Sequence, residues 1–140
     1  MVALEGMADY LKTKGDVKPV NENSTMFTEV YAEVIPNPIA PSDYFVFDKK
    51  GGLLKRIEFQ HGSVSEYGLN GVFNEDLINM VLNRLKHYQD SKFKCIENEK
   101  AIFYLEKALA ILNERTKRRS DKGILDTHNT DETEGINNDN

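Results

Sequence analysis

Cysteine is almost absent from this 140-residue chain, which has only Cys95, and tryptophan is missing altogether. A single thiol excludes an intrachain disulfide and a thiolate metal cluster, and it fits a reducing compartment. No apolar run approaches the ~20 residues that a bilayer-spanning helix needs. The first residues also lack the basic-then-apolar layout of a secretory signal. Histidine is scarce: His61, His87 and His128 are scattered, with no i, i+4 pair of the kind that holds zinc on a helix. No glycine-rich phosphate loop or nucleophile elbow occurs. An excess of Lys and Arg is missing too, since the formal net charge is -5, which argues against a DNA binder. Asp and Glu are plentiful but surface-spaced, so no acid–base pair stands out. The expectation is a soluble cytosolic protein that binds something: not an enzyme, with no catalytic residues, no metal site, no cofactor and no membrane attachment.

What the chain does have is two periodic runs between Asn70 and Arg119. Asn74 reads as an N-cap, followed by Glu75 and Asp76 where the helix dipole favours negative charge. Ile78, Val81, Leu85 and Tyr88 then recur at helical spacing, widened by Leu77 and Leu82. This helix should end near Asp90. A short connection, Ser91 to Ile96, leads to Ala101, Leu105, Ala108 and Leu112, flanked by Ile102 and Leu109. So short a link predicts an antiparallel helical hairpin.

Upstream the period changes to two. Residues Met26 to Ile35 alternate as a strand ended by Pro36 and Pro38. Tyr44 to Phe47 and Leu53 to Gln60 read as two more, joined by the turn Asp48-Lys49-Lys50-Gly51-Gly52. In the third strand Leu54, Arg56, Glu58 and Gln60 should share one face, and after the His61-Gly62 turn Ser63 to Tyr67 reads as a short fourth strand. The predicted fold class is α+β, a small N-terminal antiparallel meander followed by a C-terminal two-helix hairpin. The expected layout is a flexible segment 1–24 with at most a helical turn around Leu4, Met7 and Leu11. One domain follows over 25–128, with strands within about 25–68 and the hairpin over about 74–120. Gly123 suits a C-terminal cap, Ile124 and Leu125 should dock on something, and the acidic tail 129–140 should be disordered.

The helices carry the candidate binding residues. Continuing the second stripe past Leu112 reaches Arg115 and Arg119, guanidinium groups where the pattern predicts apolar side chains. Either the helix outruns its core and these arginines sit in water, or they form an anion site, to which Lys117, Arg118 and Lys122 add positive charge. Their planar forks suit phosphates. Tyr88 offers a face for base stacking, or it caps the hairpin core. Asn98 has an amide that matches the adenine edge, or it caps the second helix. Tyr88 and Asn98 lie at the closed end of the hairpin, whereas Arg115 is ~25 Å along the helix. No small nucleotide spans that, so one site built from all of them requires two chains, a homodimer or higher homo-oligomer.

Six short blocks carry a resemblance: Asn70-Gly71-Val72-Phe73-Asn74-Glu75-Asp76-Leu77, His87-Tyr88-Gln89, Phe93-Lys94-Cys95-Ile96-Glu97-Asn98, Leu105-Glu106-Lys107-Ala108-Leu109, Arg115-Thr116-Lys117-Arg118-Arg119 and Gly123-Ile124-Leu125-Asp126-Thr127-His128. In this order they resemble the phage proteins grouped under the Acb/Tad hairpin domain, most of all the first type of Thoeris anti-defence protein. The resemblance implies a viral sponge acting in the cytoplasm of the infected bacterial host. Such a sponge captures the cyclic ADP-ribose isomers made by TIR-domain enzymes; some members also take cyclic di- or trinucleotides. It implies that Tyr88 stacks on the adenine, Asn98 contacts base or ribose, Arg115 and Arg119 hold phosphates, and Thr116 and Thr127 help. The chain departs from the family pattern at Tyr88, where Phe is expected, at Ile96 and Lys122, where Arg is common, and at Asp126, where Gly is common. The reading from another class is a protein-interaction module that acts through the hairpin without a nucleotide. A hydrolase of the signal ranks behind both.

Overall fold

The computed structural model describes residues 16–20, 25–35, 40–127 and 129. The expectations for Leu4, Met7 and Leu11, for Pro36 and Pro38, and for residues 130–140 lie outside these. The element order is α+β as expected: strands β1 (Val17–Pro19), β2 (Thr28–Glu33), β3 (Asp43–Asp48) and β4 (Leu53–Glu58), then helices α1 (Val64–Tyr67), α2 (Asn74–Gln89) and α3 (Ile96–Asp121). The chain divides into two compact units. One comprises the strands with residues 69–72; the other comprises 62–68 and everything from Phe73 onward.

The sheet is an antiparallel meander in the order β1-β2-β3-β4. Strand β1 falls in the stretch expected to be flexible. It forms by pairing Val17 with Glu33 and Pro19 with Tyr31, and it is an edge strand, where a proline that lacks an N–H is tolerated. Tyr31 opposite Phe45 and Glu29 opposite Phe47 bring the aromatic side chains of β2 and β3 to one face. There Val17, Phe45 and Phe47 are buried, with Tyr31 and Leu53 packed against them. The Tyr31 and Phe47 rings meet edge to face at 5.3 Å, an arrangement that suits the aromatic quadrupole.

The strict alternation expected in β4 does not hold. Phe47 pairs with Leu53 while Val46 pairs with Lys55, so a register shift leaves Leu54 unpaired. The extra residue changes the parity, which puts Leu53 on the same face as Arg56. The Arg56 guanidinium is engaged within the sheet: it bonds Asp43 at 2.8 Å and Glu58 at 3.2 Å and lies over the Phe45 ring. The turn after β3 forms as expected. The Asp48 carboxylate accepts from the N–H groups of Gly52 and Lys50, bonds that hold it below the usual carboxylate range.

The Asn70-Gly71 pair is a crossing rather than a turn. Val72 bridges to Phe59 in parallel, with bonds from Gln60 N–H to the Val72 carbonyl and from Val72 N–H to Glu58. The Asn70 amide brackets His61, accepting from its N–H and donating to its carbonyl, both at 2.8 Å. A Cβ on Gly71 would run into the backbone of Phe59 and Gln60, so the glycine is needed for close approach.

In the other unit, Val64–Tyr67 is a helix, not part of a strand. Ser63 caps α1 by accepting from the Glu66 N–H, and Gly68 ends it at φ 72°. A Ser with Glu three residues on is a helix-start pattern, which outweighed the short alternation. The N-cap of α2 is Phe73, not Asn74. Its side chain accepts nothing; instead the Asp76 carboxylate accepts from the Phe73 N–H at 2.8 Å. In helix α2 Leu82 is buried and Glu75, Leu77, Ile78, Leu85 and Gln89 are partly covered. The covered stripe is therefore rotated slightly from the expected one, and Val81 and Tyr88 stand at its exposed edge. The stripe of α3 is as expected: Ala101, Leu105, Ala108 and Leu112, with Ile102 and Leu109, are all partly covered. Lys86 and Glu106 join the two helices at 2.9 Å.

Candidate functional site

At the closed end of the hairpin, Gln89 fixes the connection. Its side chain accepts from the Cys95 N–H at 3.0 Å and donates to the Cys95 carbonyl at 3.1 Å. Ser91 donates to the Tyr88 carbonyl and accepts from the Phe93 N–H. Cys95 is exposed and sits at the N-cap of α3 without a side-chain bond. Asn98 is thus the third residue of α3, not its cap, and is half-buried.

Tyr88 is 42% exposed, so it does not plug the hairpin core. Its ring lines an open basin of about 500 Å³ together with Asn83, Arg84, His87, Ser91 and Phe93. Arg84, one turn before Tyr88, holds its guanidinium carbon 5.9 Å from the ring centroid and donates to the Tyr88 hydroxyl at 3.4 Å. Lys92 places its ammonium 5.1 Å from the Phe93 ring. Two exposed aromatic faces and two cations therefore share one end of the hairpin. Sequence reasoning found Tyr88 and missed Arg84, His87 and Phe93. The i, i+4 spacing of Arg84 and Tyr88 was the available signal.

At the other end, α3 closes with a Schellman pattern. The Gly123 N–H reaches the Ser120 carbonyl and the Ile124 N–H reaches Arg119, with Gly123 at φ 69°. Ile124 is buried to 1% exposure, as expected of a docked residue, whereas Leu125 is 43% exposed. The segment after the helix folds back over Arg119. That guanidinium is buried and donates through one nitrogen to the carbonyls of Ile124 at 3.1 Å, Thr127 at 3.4 Å and Asn129 at 3.0 Å. The covered stripe of α3 therefore does not stop short of Arg119, and of the two arginines only Arg115 is exposed. Arg115 and Thr116 are exposed; the Thr116 hydroxyl donates to the Leu112 carbonyl. The exposed Thr127 bonds back to the Ile124 carbonyl.

Asp126 fastens the same segment from the other side. Its carboxylate accepts from the N–H groups of Val64 at 2.7 Å and Ser65 at 3.0 Å. Those two bonds hold it below the usual carboxylate range. Its φ of 61° is a left-handed geometry that Asp tolerates better than most residues.

The six candidates therefore fall into groups. Tyr88 and Asn98 are near the closed end, Arg115 and Thr116 are on the outer part of α3, and Arg119 and Thr127 are joined by the returning segment. Seventeen residues of one unbroken helix separate Asn98 from Arg115, ~25 Å at the helical rise. Among the described residues no His, Cys, Asp or Glu group is placed to hold a metal ion, and no helix is long and apolar enough to cross a membrane.

A meander followed by a long antiparallel hairpin with an aromatic, cationic closed end defines an α+β hairpin protein. Residues 53–117 match the Acb2/Tad1 hairpin domain. A relative, "Thoeris anti-defense 1" of Bacillus phage SBSphiJ7, is 52% identical over 77 residues, which are 55% of this chain and 54% of that protein. The chain spans about half the length of the curated relative it matches.

Proposed function

We propose that this protein is an anti-Thoeris sponge: it captures a cyclic ADP-ribose isomer in the cytoplasm of the infected host and releases it intact, without turnover. The observation that carries this reading is the exposed Tyr88 ring, set among cations at the closed end of a hairpin that matches a domain whose relative is named for anti-defence against Thoeris. In this reading Tyr88 stacks on the adenine, Asn98 reads the base or ribose, and the exposed Arg115, with Thr116, serves the phosphates, while the buried Arg119 acts by holding Thr127 and the returning segment in place. The separation along α3 supports a two-chain site, in which the closed end of one hairpin meets the open end of a second copy. Charge-assisted bonds contribute ~1.5–3 kcal/mol each and a base stack ~1–3 kcal/mol. Two of the former and one of the latter come close to the ~8 kcal/mol of micromolar binding.

The test is to mix the protein with cyclic ADP-ribose isomers, remove it, heat it and chromatograph what is released. Recovery of intact ligand is the expected result; a cleaved product would make the protein a hydrolase. No depletion would favour a protein-interaction module, a reading that the exposed Phe103, Tyr104 and Ile111 on α3 also suit.

A further inference from the structure

Every phosphate contact in the reading above comes from the far end of α3, yet the closed end has a cation of its own. Arg84 sits one helical turn before Tyr88, lines the same basin and keeps its guanidinium beside the ring. Among the described residues no ion pair engages it, whereas its neighbour Lys86 is paired to Glu106. The partner that orients it is the Tyr88 hydroxyl, at 3.4 Å. A phenylalanine at this position would stack equally well but would leave the fork without that acceptor.

We propose that Arg84 is a phosphate-binding residue of the nucleotide site, positioned by the Tyr88 hydroxyl, so that one chain supplies both the ring for the base and a fork for the phosphate of the same nucleotide. Chemistry favours this division. A guanidinium offers a planar pair of donors that matches two phosphate oxygens. Held alongside an aromatic face, it meets an anionic group attached to whatever stacks there. The hydroxyl then matters through Arg84 and not through the base. The inference rests on the sponge reading and refines which residues meet the ligand's charge.

The experiment is calorimetric titration of full-length wild type, Arg84→Gln, Tyr88→Phe and the double variant with a cyclic ADP-ribose isomer at low and high salt. Melting temperatures serve as a folding control. Arg84→Gln should weaken binding tenfold or more and flatten its salt dependence. Tyr88→Phe should weaken binding several-fold in the wild-type background and have no effect once Arg84 is Gln. Arg84→Lys, which keeps the charge without the fork, should recover part of the loss. Wild-type affinity in Arg84→Gln, or an equal effect of Tyr88→Phe in both backgrounds, would overturn the role of Arg84 while leaving the sponge reading intact. A wild-type protein that takes up no isomer would overturn both.

Discussion

The Arg119 guanidinium donates to the carbonyl of Ile124 at 3.1 Å, five residues further along the chain and just past the end of its own helix. That bond, with those to Thr127 and Asn129, makes a buried cation the anchor of the returning segment. Arg119→Ala should therefore destabilise the protein by about 1–3 kcal/mol, because the carbonyls lose a charged donor. Such a loss lowers the melting temperature by ~2–4 °C per kcal/mol in a chain of this size. A thermal melt unchanged from wild type would remove the anchoring role.

Arg115 provides the contrast. It is exposed, so Arg115→Ala should stay within ~0.5 kcal/mol of wild-type stability. If it serves the phosphates, its loss should weaken ligand binding about tenfold, corresponding to ~1.4 kcal/mol. Wild-type affinity by calorimetry would take Arg115 out of the site.

The bonds from Asp126 to the Val64 and Ser65 amides make a prediction about pH. The carboxylate is held below its usual value, so its contribution is present above the unfolded value of ~4 and is lost as pH falls through the lower folded value. The gap in melting temperature between wild type and Asp126→Asn should be constant near neutrality and close below about pH 4. The similarly shifted Asp48 is present in both proteins, so the comparison isolates Asp126. A gap that persists to low pH would mean that the charge is not what matters.

Gly71 lies against the backbone of Phe59 and Gln60, which cannot move aside without breaking the bridge to Val72. Gly71→Ala should cost at least ~1–3 kcal/mol as overpacking, measured by urea unfolding. A neutral effect would mean that this crossing yields easily.

The sequence by itself determined what depends on near neighbours. The period of 3.6 in Ala101, Leu105, Ala108 and Leu112 and the alternation that gives Thr28–Glu33, the inner part of the strand expected over Met26 to Ile35, follow from which residues share a face. The Asp48 to Gly52 turn and the Gly123 stop follow from local backbone freedom, and Tyr88 stood out because an aromatic ended a stripe. Tertiary structure decided whatever required a partner distant in the chain. Val17 became a strand only against Glu33, and Leu53 changed faces through its register with Phe47. Helix α1 has its first amides held by Asp126, some sixty residues away. The two arginines look alike in the pattern, yet the chain folds back over Arg119 and leaves Arg115 exposed. Periodicity places a residue on a face, and only the packing of the rest of the chain decides whether that face is covered.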